Sequence, residues 1–314
     1  MRFCFILEEK YANEPMPMVV ADQLQQWGHQ IDVLQLYCNV TSLTDLPLAT
    51  YDACVLKTVS DGPGLTILEA AEAVGIPTIN NSRAIRRVRD KAVAVAFAKY
   101  RGLPVPRTYF VGDSRALVDV PHDIYPVVIK PTNGSSGRGV YLVNSPADLP
   151  TLKMACDGSC FFLAQQYVEN AGYDVKLYVI GQGVYAVARK SPLHPEIEVK
   201  SGPIPLKLEW LKLAQRVGEI FGLHIYGLDV VATSKGAVVV DINDFPSFGH
   251  VPRAVSRLSN YILRIAGLAN SKHRHRAMIG APVRPLGTST AFDGLGHPFF
   301  CRSVRHGSGR SRWP

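Results

Sequence analysis

The sequence predicts a mixed α/β (α+β) protein, in which a small parallel βα domain precedes a larger region of antiparallel sheet backed by helix. Three observations carry that prediction. The first ~80 residues alternate short apolar runs with stretches of helical spacing, the rhythm of a parallel sheet with right-handed crossovers. From about Ser82 onward the apolar runs come in pairs joined by glycine-containing turns, as hairpins do. The chain has 314 residues, 47% of them apolar and 19% charged, a globular composition at a length that suits two domains or three small ones.

The first domain, residues 1–81, is read as follows. Phe3–Leu7 is a short apolar strand, Met18–Trp27 has helical spacing and stops at Gly28, and Ile31–Leu36 and Ala53–Lys57 are further strands. Leu65–Val74 reads as a helix ended by Gly75, with a strand at Pro77–Asn80. The strand end Lys57-Thr58-Val59-Ser60-Asp61-Gly62 is where a parallel sheet presents side chains to a ligand.

The second region starts with Ser82–Arg101, one helix with Ser82 as N-cap and Gly102, Pro104 and Pro106 as its stop. Val127–Lys130 is a strand that runs into "PTNGSSGRGVYLV", and Gly139–Val143 continues as its hairpin partner. Phe161–Val168 is β-prone, and Val175–Val187 reads as two strands joined by Gly181-Gln182-Gly183. Leu208–Phe221 is a helix with Gly222 as its stop, followed by "IYGLDVVAT" and "AVVVDIN", two strands turning at Ser234-Lys235-Gly236. Residues 270–314 show no sustained periodicity and read as a flexible basic tail.

Charge and cysteines exclude several function classes. Residues 272–314 hold eight of the 34 Lys and Arg and only one acid, Asp293, so most of the net charge of +8 lies there. The body is close to neutral, and nucleic acid is not an expected partner. No run approaches the ~18 apolar residues of a membrane helix, and Glu8, Glu9 and Lys10 interrupt the first apolar run, so a cytoplasmic protein is expected. The six cysteines are widely spread, and Cys156 and Cys160 lack partners at zinc spacing.

The residues that carry chemistry lie in the second region. Gly134, Ser135, Ser136 and Gly137 belong to a loop whose small residues would let backbone N–H groups cradle phosphate oxygens. It matches neither the Walker A pattern nor the dinucleotide fingerprint, and a plain hairpin turn is the alternative. Lys130 closes the apolar strand before it and would set an ammonium beside those phosphates. Asp241 and Asn243 sit two apart in an apolar strand and so share a face; if Asp229's strand pairs with theirs, three oxygen-bearing side chains converge. Hard oxygen ligands of this kind suit Mg²⁺. Lys176, Arg189, Lys200 and Arg253 are basic residues that could face this set, and arginine in particular would steady a transferring phosphoryl group.

In order, "RRVRDK", "VVIKPTNGSSGRGV", "LAQQYVENAGYDVKLYVIG", "AVARK", "YGLDVV" and "VVVDINDFPS" resemble the parts of the ATP-grasp superfamily, over about Ser82 to Leu268. The resemblance implies a two-lobed fold, 82–163 and 164–269, with ATP and Mg²⁺ (or Mn²⁺) bound between the lobes. The first half, "RDKAVAVAFAKYRGLPVPRT", is most similar to the RimK-like glutamate ligases. By that resemblance Lys91 and Lys130 contact the nucleotide, Gln166, Tyr167 and Val168 touch the base largely through backbone groups, and Asp174 lies near the ribose. Lys176 stands where the ligases usually carry Arg. Asp229, Asp241 and Asn243 coincide with the metal set, with Asp in place of Glu at 241, and Ser247 replaces a glycine near the acceptor site.

The resemblance implies an ATP- and Mg²⁺-dependent carboxylate–amine ligase working through an acyl phosphate, with Arg189 stabilising developing negative charge. Small-molecule or peptide carboxylates and amines would be its substrates, and the oligomeric state stays open, a homo-oligomer included. Because "DVKLYVIG", "VARKSPL" and "VVDINDFPSF" also resemble the inositol trisphosphate kinases, a kinase acting on an inositol phosphate or similar polyol is the alternative. A nucleotide-binding module without turnover is the third reading.

Overall fold

Five consecutive buried residues, Phe3–Leu7, form a strand with no wet face, which a sheet covered on both sides requires. The computed structural model describes residues 1–11, 14–38, 40–57, 62–132, 139–151, 161–169, 172–194 and 196–279. That strand, β1 (Arg2–Leu7), is followed by α1 (Pro15–Gln26), β2 (Gln30–Gln35), β3 (Ala53–Lys57), α2 (Gly64–Ala73) and β4 (Thr78–Ile79). The strands form a parallel sheet in the order β2-β1-β3-β4.

α3 (Ser82–Arg89) and α4 (Lys91–Tyr100) occupy the span that the sequence suggests is one helix. Asp90 breaks it, with extended backbone (φ −84°, ψ 104°) and a carboxylate that accepts from the N–H groups of Ala92 and Val93 to cap α4. Asn81, and not Ser82, caps α3, its side chain accepting from Arg83 N–H. Short polar side chains compete for backbone donors in this way, which is why an Asp inside a helical pattern can divide it.

β5 (Thr108–Val111), β6 (Val127–Pro131), β7 (Tyr141–Val143) and β8 (Phe162–Gln166) make an antiparallel sheet in the order β5-β8-β6-β7. A second antiparallel sheet, β11-β10-β9-β12-β13, holds β9 (Tyr173–Ile180), β10 (Gly183–Lys190), β11 (Gly202–Pro203), β12 (Ile225–Thr233) and β13 (Gly236–Asp244). α5 (Leu208–Phe221) precedes β12 and ends at Gly222, whose φ of 74° is left-handed.

Alternation along β9 sorts its side chains. Val175, Leu177 and Val179 pack in one core with Trp210, Ala214, Val217 and Phe221 of α5. Tyr178 and Ile180 pack in another, with Phe3 and Phe5 of β1, Val20 and Leu24 of α1, and the last helix, α6 (Ala254–Ile279). Each fully buried side chain such as Val217 or Phe221 contributes roughly 1.5–3 kcal/mol. At the β9 end where the apolar packing stops, Asp174 and Lys176 stand on the same face as Tyr178 and line a cleft.

α6 departs from the sequence reading, which has no helix here and a tail from 270. Its buried positions Leu258, Tyr261, Ile262 and Ala266 follow helical spacing. No helix among the described residues is long and apolar enough to cross a membrane.

Candidate active site

The central strands bring the oxygen set together. Asp229 on β12 pairs in register with Asp241 on β13 and with Lys176 on β9, while Asn243 lies opposite Gly227. The β12–β13 register then shifts, Val230 facing Val239, so that Val240 is left over as a β-bulge. Without the bulge Asp241 would share a face with Val239, which packs in the α5 core. With it, Ile242 takes the core face and Asp241 and Asn243 turn to the cleft. Gly227 gives room beside them: a Cβ there would meet Lys176 Cε at 3.0 Å and Pro246 Cγ at 3.1 Å.

Three lysines stand among these groups. Lys176 Nζ donates to Asp229 Oδ2 at 2.8 Å, and Lys91 Nζ contacts both oxygens of Asp241 at 2.6 and 2.5 Å. Lys91 owes its place to the Asp90 cap, which starts α4 at that residue. Lys130, 9% exposed, donates to Gln165 Oε1 at 3.0 Å and to the carbonyl of the bulged Val240 at 2.7 Å. Burial pushes its ammonium down to about 8, with Asp241 and Asp229 pulling it up and Lys91 adding to the depression. Burial alone would raise the Asp241 carboxyl, but Lys91, Lys130 and Lys176 outweigh it and hold the group below the usual carboxylate range.

Every described residue of the sequence-derived set lines one cleft of about 620 Å³: Lys91, Lys130, Gln166, Tyr167, Val168, Asp174, Lys176, Arg189, Asp229, Asp241 and Asn243. Gly134, Ser135, Ser136 and Gly137 lie outside the described residues. Lys200 and Arg253, weighed as further basic groups, are not among the lining residues. The expectation of backbone contacts from 166–168 is narrowed, because Gln166 N–H donates to Arg107 O and Tyr167 N–H to Pro126 O, both at 2.8 Å. Tyr167 Oη lies 2.8 Å from His194 Nε2, tying this segment to the turn after β10. Burial raises the Asp174 carboxyl. Arg189 is exposed on β10, opposite Asp174, and makes no ion pair within 4.0 Å among the described residues.

Several lining residues are not among the expected site residues: Tyr11 and Glu14 lie in no motif, and Arg89, Gln165 and Asp244 lie inside the quoted motifs without an assigned role. Arg89 Nε lies 2.5 Å from Asp244 Oδ1, whose side chain is wholly buried, and burial raises that carboxyl against the pull of Arg89. Ser247, the departure from glycine, also lines the cleft.

The donor chemistry fits a hard divalent cation. Two carboxylates and one amide converge, and Asn243 Nδ2 donates to Asp229 Oδ2 at 3.2 Å, which turns its carbonyl oxygen away from that bond and leaves it free to coordinate. No cluster of three or more His, Cys, Asp or Glu exists among the described residues, so the remaining ligands of such an ion would come from a bound anion or water.

Residues 88–256 match the family model of the RimK-like ATP-grasp domain. The chain is 26% identical over 274 residues to a probable alpha-L-glutamate ligase of Legionella pneumophila, an alignment covering 79% of this chain and 91% of the relative. A RimK domain ATP-grasp protein from Sphaerobacter thermophilus superposes with a TM-score of 0.65 at 19% identity, covering 84% of this chain and 99% of that one. The ATP-grasp ligase PsnB, solved with a minimal precursor, Mg and ADP, gives 0.64 at 17% identity, with coverage of 84% and 97%.

Proposed function

The chain belongs to the RimK-like ATP-grasp family, and on that premise we propose that it is an ATP- and Mg²⁺-dependent ligase that joins a carboxylate to an amine. The observation that carries the residue roles is the register of β9, β12 and β13, which gathers Lys176, Asp229, Asp241 and Asn243 beside Lys91 and Lys130 in one cleft.

In this reading residues 82–163 and 164–269 are the two lobes, with 1–81 as the preceding domain. Lys91 and Lys130 hold the nucleotide's phosphates, and Gln166, Tyr167, Val168 and Asp174 hold its nucleoside end. Asp229, Asp241 and Asn243 would hold Mg²⁺, which when bound offsets phosphate charge. Lys176 fixes Asp229 through its 2.8 Å bond. The substrate carboxylate attacks the γ-phosphorus of ATP, giving an acyl phosphate and ADP. The amine then attacks the acyl carbon, loses a proton and expels phosphate. Arg189, at the cleft wall and without an ion pair among the described residues, stabilises the oxyanion of that second step.

The test is the joint assay of ADP and free phosphate from purified protein with Mg-ATP, pooled carboxylic acids and pooled amines, with L-glutamate, the amino acid named for the Legionella relative, tried first. ADP and phosphate in equal amounts, dependent on both acid and amine, are expected. ADP without free phosphate, with the phosphoryl group on a hydroxyl acceptor, would replace the ligase with a kinase.

A further inference from the structure

Tyr11, Glu14, Lys57, Arg89 and Asp244 make up a wall of the cleft that the nucleotide and metal roles leave unused. They come from four places in the chain: the segment after β1, the last residue of β3, the last residue of α3 and the last residue of β13. Four are charged, two of each sign. Asp244 feels both Arg89 and Lys57, and Tyr11 feels Arg89, Asp244 and Glu14, so the group acts as one electrostatic cluster.

Its two ion pairs differ in kind. Arg89 and Asp244 are 16% and 0% exposed, a closed pair. Lys57 is 4% exposed but its partner Glu14 is 47% exposed, with 2.6 Å between Nζ and Oε2. Lys57 also donates to Met16 O at 3.2 Å and sits 4.4 Å from the Tyr11 ring centroid. A dry ammonium held by a carboxylate that stands in water gains little, since water competes for the anion while the cation bears the desolvation. Stability therefore does not explain burying this lysine. Its position does: Lys57 ends a strand of a parallel sheet, where ligands bind, and Asp244 directly follows Asn243 of the oxygen set.

Charge narrows the ligand. The four charges cancel, so a ligand with net charge would leave an uncompensated ion in this half-dry wall, whereas a zwitterion would not. We propose that the Glu14–Lys57 pair opens to hold a free amino acid, its carboxylate on Lys57 and its ammonium on Glu14. The two residues then select one of the two substrates. This assignment rests on the ligase reading for its place in catalysis, but the binding it asserts is measurable without turnover.

Calorimetric titration of single amino acids, and of the same compounds as α-carboxamides, into the full-length protein with and without Mg²⁺ and AMPPNP tests it. At least one amino acid is expected to bind, and its carboxamide about tenfold or more weakly, the loss typical of one charged hydrogen bond. Lys57→Met should remove that discrimination, Lys57→Arg should keep most of it, and AMPPNP should bind all three proteins alike. The acid–amide comparison on the unaltered protein stands even if Lys57→Met fails to fold. No amino acid binding, equal binding of acid and amide, or unchanged discrimination in folded Lys57→Met overturns the proposal. Failure of the ligase reading looks different: an amino acid binds as expected, yet no pair of acid and amine yields ADP with phosphate.

Discussion

Replacing Lys130 with methionine separates the structural cost of a buried cation from its use. Burial holds this ammonium at about 8 against 10.5 for a free lysine, so keeping it charged at pH 7 costs about 3 kcal/mol. Methionine removes that cost, but it also strips Gln165 Oε1 and the Val240 carbonyl of their donor, at about 1–3 kcal/mol for each buried acceptor left unpaired. The two terms nearly cancel, and the variant is expected to unfold within about 2 kcal/mol of the parent in urea. ATP affinity, by contrast, should fall by about tenfold or more, because the proposed role sets the lost charge at the phosphates.

The sign of the pH dependence follows from the same shift. Between about 8 and 10.5 the unfolded chain holds the proton that the folded chain has released, so the parent gains stability as pH rises through that window. The difference between parent and Lys130→Met isolates this gain from other groups. Bound phosphate favours the ammonium, so ATP binding at about pH 8.5 should take up protons, seen as a buffer-dependent binding heat that the variant lacks. Equal ATP affinity in the two proteins, or no proton uptake, would refute the placement of Lys130 at the phosphates.

Asp241→Ala and Asn243→Ala should each lower ATP turnover by about 100-fold or more with the circular dichroism spectrum retained, and near-parent turnover in both would remove the metal assignment. Arg189→Ala should lower kcat by about 100-fold while ATP affinity is kept, because its proposed role is confined to the oxyanion; a pure loss of ATP affinity would move it to the nucleotide. Arg89→Met leaves the wholly buried Asp244 carboxylate without its cation and should cost about 3–5 kcal/mol in urea unfolding, most of it recovered by adding Asp244→Leu.

Local rules made much of this legible in the sequence. Ala53–Lys57 and Leu208–Phe221 are observed with the ends that apolar runs and a glycine stop imply. The period of two placed Asp241 and Asn243 on one face, and a lysine closing an apolar strand pointed to Lys130. Features decided by distant partners were not legible. Arg89 meets Asp244, Lys91 meets Asp241, and Lys57 meets Glu14, each across a long stretch of chain that no local rule bridges. The break at Asp90 was readable in principle, since an Asp directly before a helix-forming run is an N-cap signal. So was α6, whose apolar positions from Leu258 to Ala266 keep helical spacing.

The bulge at Val240 shows why one irregularity can matter more than the regular pairing around it. β13 must give apolar side chains to the α5 core and oxygen ligands to the cleft, yet Val239 and Asp241 are two apart and a flat strand would set both on one face. Bulging Val240 out of the ladder resolves the conflict, and its carbonyl accepts from Lys130, so the same device aims Asp241 at the cleft and anchors Lys130 there. Deleting Val240 would set Val239 next to Asp241 and keep every face, Val239 still opposite Val230 and Asp241 still opposite Asp229, but it removes the carbonyl that accepts from Lys130. A buried ammonium that loses one of its two acceptors costs about 1–3 kcal/mol in urea unfolding, and AMPPNP binding should weaken because Lys130 is no longer anchored. A deletion variant with parent-like stability and nucleotide affinity would show that the Val240 carbonyl does not hold Lys130 in place.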